Sequence, residues 1–368
     1  MRVIFTGGGT AGHVTPAQAM IEEIKKRGTE SEILFIGRSG GKETKPITSA
    51  GITTKLLEIE GLERRVSLKN AKKLLLAIKA LRQSKKIIKE FSPDIIVGTG
   101  GYVCWPVIRA GQRMGIPTVI HESNSSPGLT TRLLSAKCSA VLLNTEGASR
   151  GLKCKSFSVV GTPTLSAFFK TDRAQARKSF GLRDGDVFIL SFGGSLGAEN
   201  LNKSVLSVMK NFSAKTPKVK HLHATGRRYY SDLKSEYNPP KSTGCRLVEY
   251  IDKMPPLLNA ADIVICRAGA LTLTELALCG VASVLVPSPN VTGNHQVKNA
   301  REYSEKGAAI MIEEGDALET RLLHAVTDLV AHADKRREMA EKICNFGKKD
   351  AAKAAVDIIF KIGEKQQI

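Results

Sequence analysis

Little in this sequence can stack on a nucleobase: aromatic residues make up 5% of the 368 and there is one tryptophan. No basic segment is interleaved with aromatics, so a base-stacking platform is excluded and no nucleic-acid partner is expected, despite a net charge of +20. No apolar run reaches the length of about 18 residues that a membrane-spanning helix needs. Met1-Arg2 leads straight into a strand pattern with no leader. The seven cysteines are odd in number and contain no Cys-x-x-Cys pair, which argues against a disulfide framework or a zinc site and for a reducing compartment, the cytoplasm by default. The positive charge, 55 Lys+Arg against 35 Asp+Glu, therefore points to an anionic membrane surface or a polyanionic substrate.

What is present is a glycine-rich loop of one kind in each half. Gly7-Gly8-Gly9-Thr10-Ala11-Gly12 follows the apolar Val3–Phe5, and Gly193-Gly194-Ser195-Leu196-Gly197 follows Val187–Phe192. Strand, glycines and helix start together place bare N–H groups and a positive helix end where an anion can sit. The expected fold is α/β: two Rossmann-like, doubly wound parallel-sheet domains facing across a cleft, with donor on one side and acceptor on the other. Apolar runs at Val3–Phe5, Ile33–Ile36, Ile95–Val97, Thr118–Ile120, Val141–Leu143 and Phe157–Val160 predict strands in the first half. Val187–Ser191, Lys220–His223, Arg246–Val248, Ile263–Ile265, Ser283–Val286 and Ala309–Ile312 repeat the rhythm. Gly161-Thr162-Pro163-Thr164 breaks it, giving domains over 1–163 and 164–345, and a final segment, 346–368, whose helix packs back on the first domain.

Between Arg64 and Phe91 stand ten Lys/Arg residues and one acid, Glu90. Leu74, Ile78, Leu81 and Ile88 line one face of a helix, and Leu75, Leu76 and Ile87 widen it beyond what packing on a sheet requires. One-signed charge with spare apolar side chains is the pattern of a peripheral membrane contact; the plainer reading is a crossover helix with a solvated face.

His13 follows the first loop at a helix N-terminus, where the dipole disfavours imidazolium and keeps a ring able to accept a proton. A histidine capping its own helix is the alternative. Gly98-Thr99-Gly100-Gly101-Tyr102 and His121-Glu122-Ser123-Asn124 add polar groups at two more strand ends, the edge where open α/β sheets bind ligands. In the second half Arg267 and the helix start at Ala270 could hold a diphosphate, and Glu275, one turn on, two ribose hydroxyls. Gly37-Arg38 at the end of the second strand would suit NADP, so an NADP-dependent oxidoreductase stays open, although a second glycine loop has no role in that chemistry. Asp184-Gly185-Asp186 reads as a turn and not a metal-diphosphate motif, and His221 and His223 have no partner at metal spacing.

Taken in order, Gly7 to His13, Gly100-Gly101-Tyr102, His121-Glu122-x-Asn124, Gly193-Gly194-Ser195-x-Gly197-Ala198, Arg267-x-Gly269-Ala270-Leu271-Thr272 and Asn294-His295-Gln296-x-x-Asn299-Ala300 resemble glycosyltransferase family 28, the GT-B family of the GlcNAc transferase of peptidoglycan lipid II synthesis. The resemblance spans nearly the whole chain. It implies inverting transfer of GlcNAc from UDP-GlcNAc to an undecaprenyl-diphosphate-linked muramoyl-pentapeptide at the cytoplasmic face of the cell membrane, with no cofactor and no obligatory metal. It implies that Thr10, Ala11, Gly12, Asn124 and Ser195 lie at the sugar end of the donor. The backbone of Ile251 would read uracil, Ala270, Leu271, Thr272, Leu273, Thr274 and Glu275 would hold diphosphate and ribose, and Gln296 would contact GlcNAc hydroxyls. His13 stands for the general base, with Glu122 next. A transferase acting on another prenyl- or lipid-linked acceptor is the nearest alternative.

Overall fold

The computed structural model describes residues 1–41, 44–61, 68–194 and 197–364. It divides into two compact units, Met1–Leu165 with Lys348–Ile368, and Ser166–Gly347.

The first unit is built on seven strands: β1 (Arg2–Thr6), β2 (Glu32–Arg38), β3 (Thr53–Leu57), β4 (Ile95–Gly98), β5 (Thr118–Glu122), β6 (Ala140–Leu143) and β7 (Phe157–Val159). All pair in parallel, in the order β3-β2-β1-β4-β5-β6-β7. The inner strands are apolar along their whole length because helices cover both faces. Phe5, Val97 and Val119 face one buried cluster with Met20 and Ile24 of the helix Ala11–Lys26. Ile4, Ile96 and Ile120 face the other with Val107 and Ile108 of the helix Cys104–Arg113. The final helix, Ala351–Glu364, sets Ala355, Val356 and Ile359 into the first cluster, and a Cβ on Gly363 would stand 2.6 Å from Met1 Sδ. The strand order reverses between β1 and β4, so the two glycine loops of this unit emerge side by side at the carboxyl edge.

In the second unit the one-turn helix Ala167–Lys170 is followed by the short helix Arg173–Ser179, N-capped by Asp172, whose carboxylate accepts from Gln175 N at 2.7 Å. Its polar character has a use: Arg173 and Arg177 reach Asp262 at 2.6 and 2.8 Å and pin the helix to the sheet. Strands β8 (Val187–Phe192), β9 (Val219–Ala224), β10 (Cys245–Val248), β11 (Ile263–Cys266), β12 (Ala282–Leu285) and β13 (Ile310–Met311) pair in parallel in the order β10-β9-β8-β11-β12-β13. His221 and His223 point into this unit's interior: Ser191 Oγ lies 2.7 Å from His221 Nε2 and 2.9 Å from His223 Nδ1, and Asn202 Oδ1 lies 3.1 Å from His223 Nε2. Burial lowers both imidazole pKa values, His223 to about 4, so both rings are neutral core groups.

Two expectations need correction. The edge strand β3 carries Thr53, Thr54 and Lys55, mostly exposed, and no apolar run announced it. In the helix Leu68–Phe91 the buried line is Ala80, Ser84 and Ile88, with Leu81, Ile87 and Phe91 partly buried beside it. Leu74 and Ile78, expected on that line, are 53% and 39% exposed and stand with Leu75, at 67%, on the outer surface. Lys73 and Lys79 pair with Glu60 and Glu58, so the basic face is less one-signed than its sequence. Arg64 and Arg65 lie outside the described residues. Among the described residues no helix is long and apolar enough to cross a membrane, and no group of three or more His, Cys, Asp or Glu is arranged to hold a metal.

Candidate active site

In the first unit the site is an interlock of two glycine loops around one histidine. The loop 7–10 turns sharply into the helix Ala11–Lys26, and His13 sits in its first turn. His13 Nδ1–H donates to Gly8 O at 3.0 Å, with Thr10 Oγ1 at 3.2 Å. That bond fixes the tautomer, since a neutral imidazole has one N–H: Nε2 is the unprotonated, basic nitrogen. The β4 loop packs against the ring. Gly100, at φ 114°, would bring a Cβ to 2.5 Å from His13 Cδ2, and a Cβ on Gly101, at φ 84°, would collide with Gly8 O. Thr99 Oγ1 donates to His13 O at 2.6 Å, and the Gly8 N–H donates to Gly100 O at 3.3 Å. Cys104 completes the support, its thiol donating to Gly100 O at 3.0 Å and Thr6 O at 3.2 Å; burial pushes that thiol up to about 12, so it stays protonated.

Glu122 is placed differently from His13. Its carboxylate is buried and holds the following loop: Oε1 accepts from Asn124 N at 3.1 Å and Asn124 Nδ2 at 2.9 Å, Oε2 from Gly128 N at 3.0 Å and Thr131 Oγ1 at 2.7 Å. With four donors on two oxygens it organises Asn124 and the helix Leu129–Leu134 and has no geometry for taking a substrate proton. His121 is buried, donates from Nε2 to Gly161 O at 2.9 Å, and is held neutral by desolvation. Thr10 and Ala11 are exposed and Gly12 and Asn124 half-buried, all at this same edge.

In the second unit the helix Ala270–Cys279 starts at Gly269, and its first internal bond is Leu273 N to Gly269 O at 3.0 Å. The N–H groups of Ala270, Leu271 and Thr272 thus have no partner within the helix and point from its positive end, a place for diphosphate oxygens. Leu273 and Thr274 turn the other way: both are buried, and Thr274 Oγ1 donates to Ala270 O at 3.1 Å. Their side chains build the helix and do not reach the site. Glu275 is half-buried, and removal from water pushes its carboxyl up to about 8.

Arg267 departs from the charge expected of it. Its guanidinium donates to Val286 O at 3.0 Å and Pro287 O at 3.2 Å and pairs with Glu314, so its charge is neutralised within the protein. Gln296, second residue of the helix His295–Ser304, accepts at Oε1 from Ser288 N at 2.8 Å, which leaves its NH2 as the donor end. Ile251 is half-buried just beyond β10. After β8, Gly197 is closely packed: a Cβ on it, at φ 76°, would collide with Thr225 O. Ser195 lies outside the described residues. Asp186 closes a turn, its carboxylate accepting from Arg183 N at 2.9 Å, and is not placed for a metal diphosphate.

Two Rossmann-like units with glycine loops that open helices at their carboxyl edges are the architecture of the GT-B class of glycosyltransferases. Residues 3–143 match the glycosyltransferase family 28 N-terminal domain and residues 188–355 its C-terminal domain, and the chain belongs to that family. It is 38% identical over 364 residues to the UDP-N-acetylglucosamine–N-acetylmuramyl-(pentapeptide) pyrophosphoryl-undecaprenol N-acetylglucosamine transferase of Limosilactobacillus fermentum, covering 98% of each chain. The enzyme of that name from Acetivibrio thermocellus is 37% identical over 360 residues, 98% of this chain and 97% of the relative. Among solved structures, Acinetobacter baumannii MurG superposes with a TM-score of 0.76 at 27% identity, over 98% of this chain and 99% of that one. A UDP-GlcNAc 2-epimerase from Neisseria meningitidis bound to UDP-GlcNAc shares the fold, with a TM-score of 0.66 at 15% identity over 98% of this chain and 100% of that one.

Proposed function

We propose that this chain transfers N-acetylglucosamine from UDP-GlcNAc to the N-acetylmuramyl-(pentapeptide) pyrophosphoryl-undecaprenol acceptor, the step that makes lipid II from lipid I in peptidoglycan synthesis. Kinship at 37–38% identity over almost the full length, to enzymes of that one name, carries the reading. The chemistry it needs is inversion by direct displacement. The acceptor hydroxyl oxygen forms a bond to the anomeric carbon as the bond to the β-phosphate oxygen breaks, and UDP leaves with the electron pair. His13 Nε2 takes the hydroxyl proton, because Gly8 O holds the other nitrogen protonated. The start of the helix Ala270–Cys279 stabilises the charge that grows on the diphosphate, so the proposal includes no resident metal. Glu275 accepts from the ribose hydroxyls, Gln296 donates to the GlcNAc, and the backbone at Ile251 reads the uracil.

A lipid-linked acceptor requires an approach to the bilayer, and we assign it to the outer face of the helix Leu68–Phe91. Leu74, Leu75 and Ile78 are exposed there beside Lys72, Arg82, Lys85 and Lys86, the composition of a peripheral, reversible contact with anionic lipid at the cytoplasmic face. Turnover of labelled UDP-GlcNAc against a lipid I analogue, another prenyl-linked sugar and diacylglycerol, with an NADPH oxidation assay alongside, tests the function. Transfer to the lipid I analogue alone is expected; preference for another acceptor, or NADPH oxidation without transfer, would overturn it.

A further inference from the structure

A buried ion pair between Arg267 and Glu314, a residue that belongs to none of the sequence motifs, ties four strand ends of the second unit. Glu314 follows β13, and its side chain is 8% exposed against 12% for Arg267, its partner. From the other side Glu314 Oε2 accepts from Asn200 Nδ2 at 3.1 Å, in the first turn of the helix Glu199–Lys215 that the second glycine loop opens. Arg267 in turn grips the carbonyls of Val286 and Pro287, and the next residue, Ser288, donates its N–H to Gln296 Oε1. Asn299, three residues along the Gln296 helix, donates from Nδ2 to Ala268 O at 3.3 Å, beside Arg267. The placement of the Gln296 amide is therefore set by a short backbone segment whose carbonyls are held by one guanidinium, and that guanidinium is held by one carboxylate.

We propose that Glu314 is a positioning residue for sugar selectivity: by holding Arg267 on the 286–287 carbonyls it orients the Gln296 amide that distinguishes the hexose of the sugar nucleotide. This rests on the reading that Gln296 faces the donor sugar. A buried guanidinium with carbonyl partners only would keep an uncompensated charge, and a diphosphate bound close by would compete for it. Without the carboxylate, Arg267 leaves the carbonyls for the nucleotide, so UDP binding survives while the Gln296 register is lost. A residue that served stability alone would lower nucleotide affinity, or nothing beyond melting temperature.

The test compares kcat/KM for UDP-GlcNAc, UDP-GalNAc and UDP-glucose in E314Q, with UDP affinity by calorimetry. E314Q is expected to lose about tenfold or more of its selectivity while UDP affinity holds within about threefold or tightens. The R267M/E314M pair removes both charges and keeps an apolar filling if E314Q folds poorly; it is expected to lose selectivity equally. Selectivity retained within threefold in a folded variant, or lost in step with UDP affinity, would overturn the proposal. Q296A separates the two levels: selectivity kept in Q296A refutes the donor-sugar reading, whereas selectivity lost in Q296A and kept in E314Q refutes the role of Glu314 alone.

Discussion

The ring of His13 occupies the space a side chain on Gly100 would need: a Cβ there would stand 2.5 Å from His13 Cδ2. The glycines after β4 are thus the mould of the histidine, and the two loops pack together although His13 and Gly100 are 87 positions apart in sequence. Replacing Gly101 with Ala forces a left-handed residue to carry a side chain against Gly8 O, at about 1–3 kcal/mol for the backbone alone. Turnover of G101A should fall by about 10² or more while UDP affinity, which the proposed function assigns to the second unit, stays within about threefold by calorimetry. Unchanged turnover would separate the β4 loop from the chemistry.

Glu275 gives a pH dependence with a definite sign. Its carboxyl is raised to about 8 because water is withheld from it, so it is mostly protonated at pH 7 in the free protein. The neighbouring Cys266 and Cys279 thiols are pushed up further, Cys279 to about 12, and do not titrate in that range. Ribose hydroxyls bond to the charged form, so UDP binding should release a proton and UDP affinity should rise as pH rises toward 8. Calorimetry in buffers of different ionisation enthalpy measures the proton. E275Q should bind UDP more weakly and release none; equal proton release by E275Q would assign the titration elsewhere.

The membrane contact is tested on the residues the structure leaves outermost. K72Q/R82Q/K85Q/K86Q should reduce binding to anionic vesicles, each cation near such a surface contributing about 1 kcal/mol before screening. Transfer to a long-chain acceptor should slow while transfer to a short soluble analogue stays nearly unchanged. Equal losses on both acceptors would make this an ordinary crossover helix.

The final helix is part of the first unit's core, and Ile359, like Ala355 and Val356, has none of its surface exposed. Ile359→Ala should cost about 2–5 kcal/mol and lower Tm accordingly, by a few degrees per kcal/mol. A Tm within a degree of the parent would mean that this packing contributes little to stability.

The parallel sheets were legible because strands buried on both faces are short unbroken apolar runs, as at Ile95–Val97 and Ile263–Ile265. Thr53–Leu57 escaped because an edge strand with exposed threonines has no such run. The buried line of the helix Leu68–Phe91 departs from its apolar stripe because Ala80 and Ser84, small enough to let the helix approach, carry no apolar signal, whereas exposed Leu74 and Leu75 do. The position of His13 in the first turn of a helix is legible from the glycine loop before it, but the internal partners of Glu122 and Arg267 are not. A carboxylate with four internal donors and a guanidinium with a buried partner read in sequence like groups awaiting a ligand. Glu314 had no local signal at all, since its partners lie 47 and 114 residues away.

The most direct measurement is turnover and donor affinity of His13→Ala in one preparation, with a lipid-linked acceptor at saturation. A base acts in the transition state, so kcat should fall by about 10² to 10⁴ while the Kd for UDP-GlcNAc stays within about threefold. Near-normal kcat in H13A would contradict the assignment of the proton to His13 Nε2 and with it the mechanism built on the interlocked glycine loops.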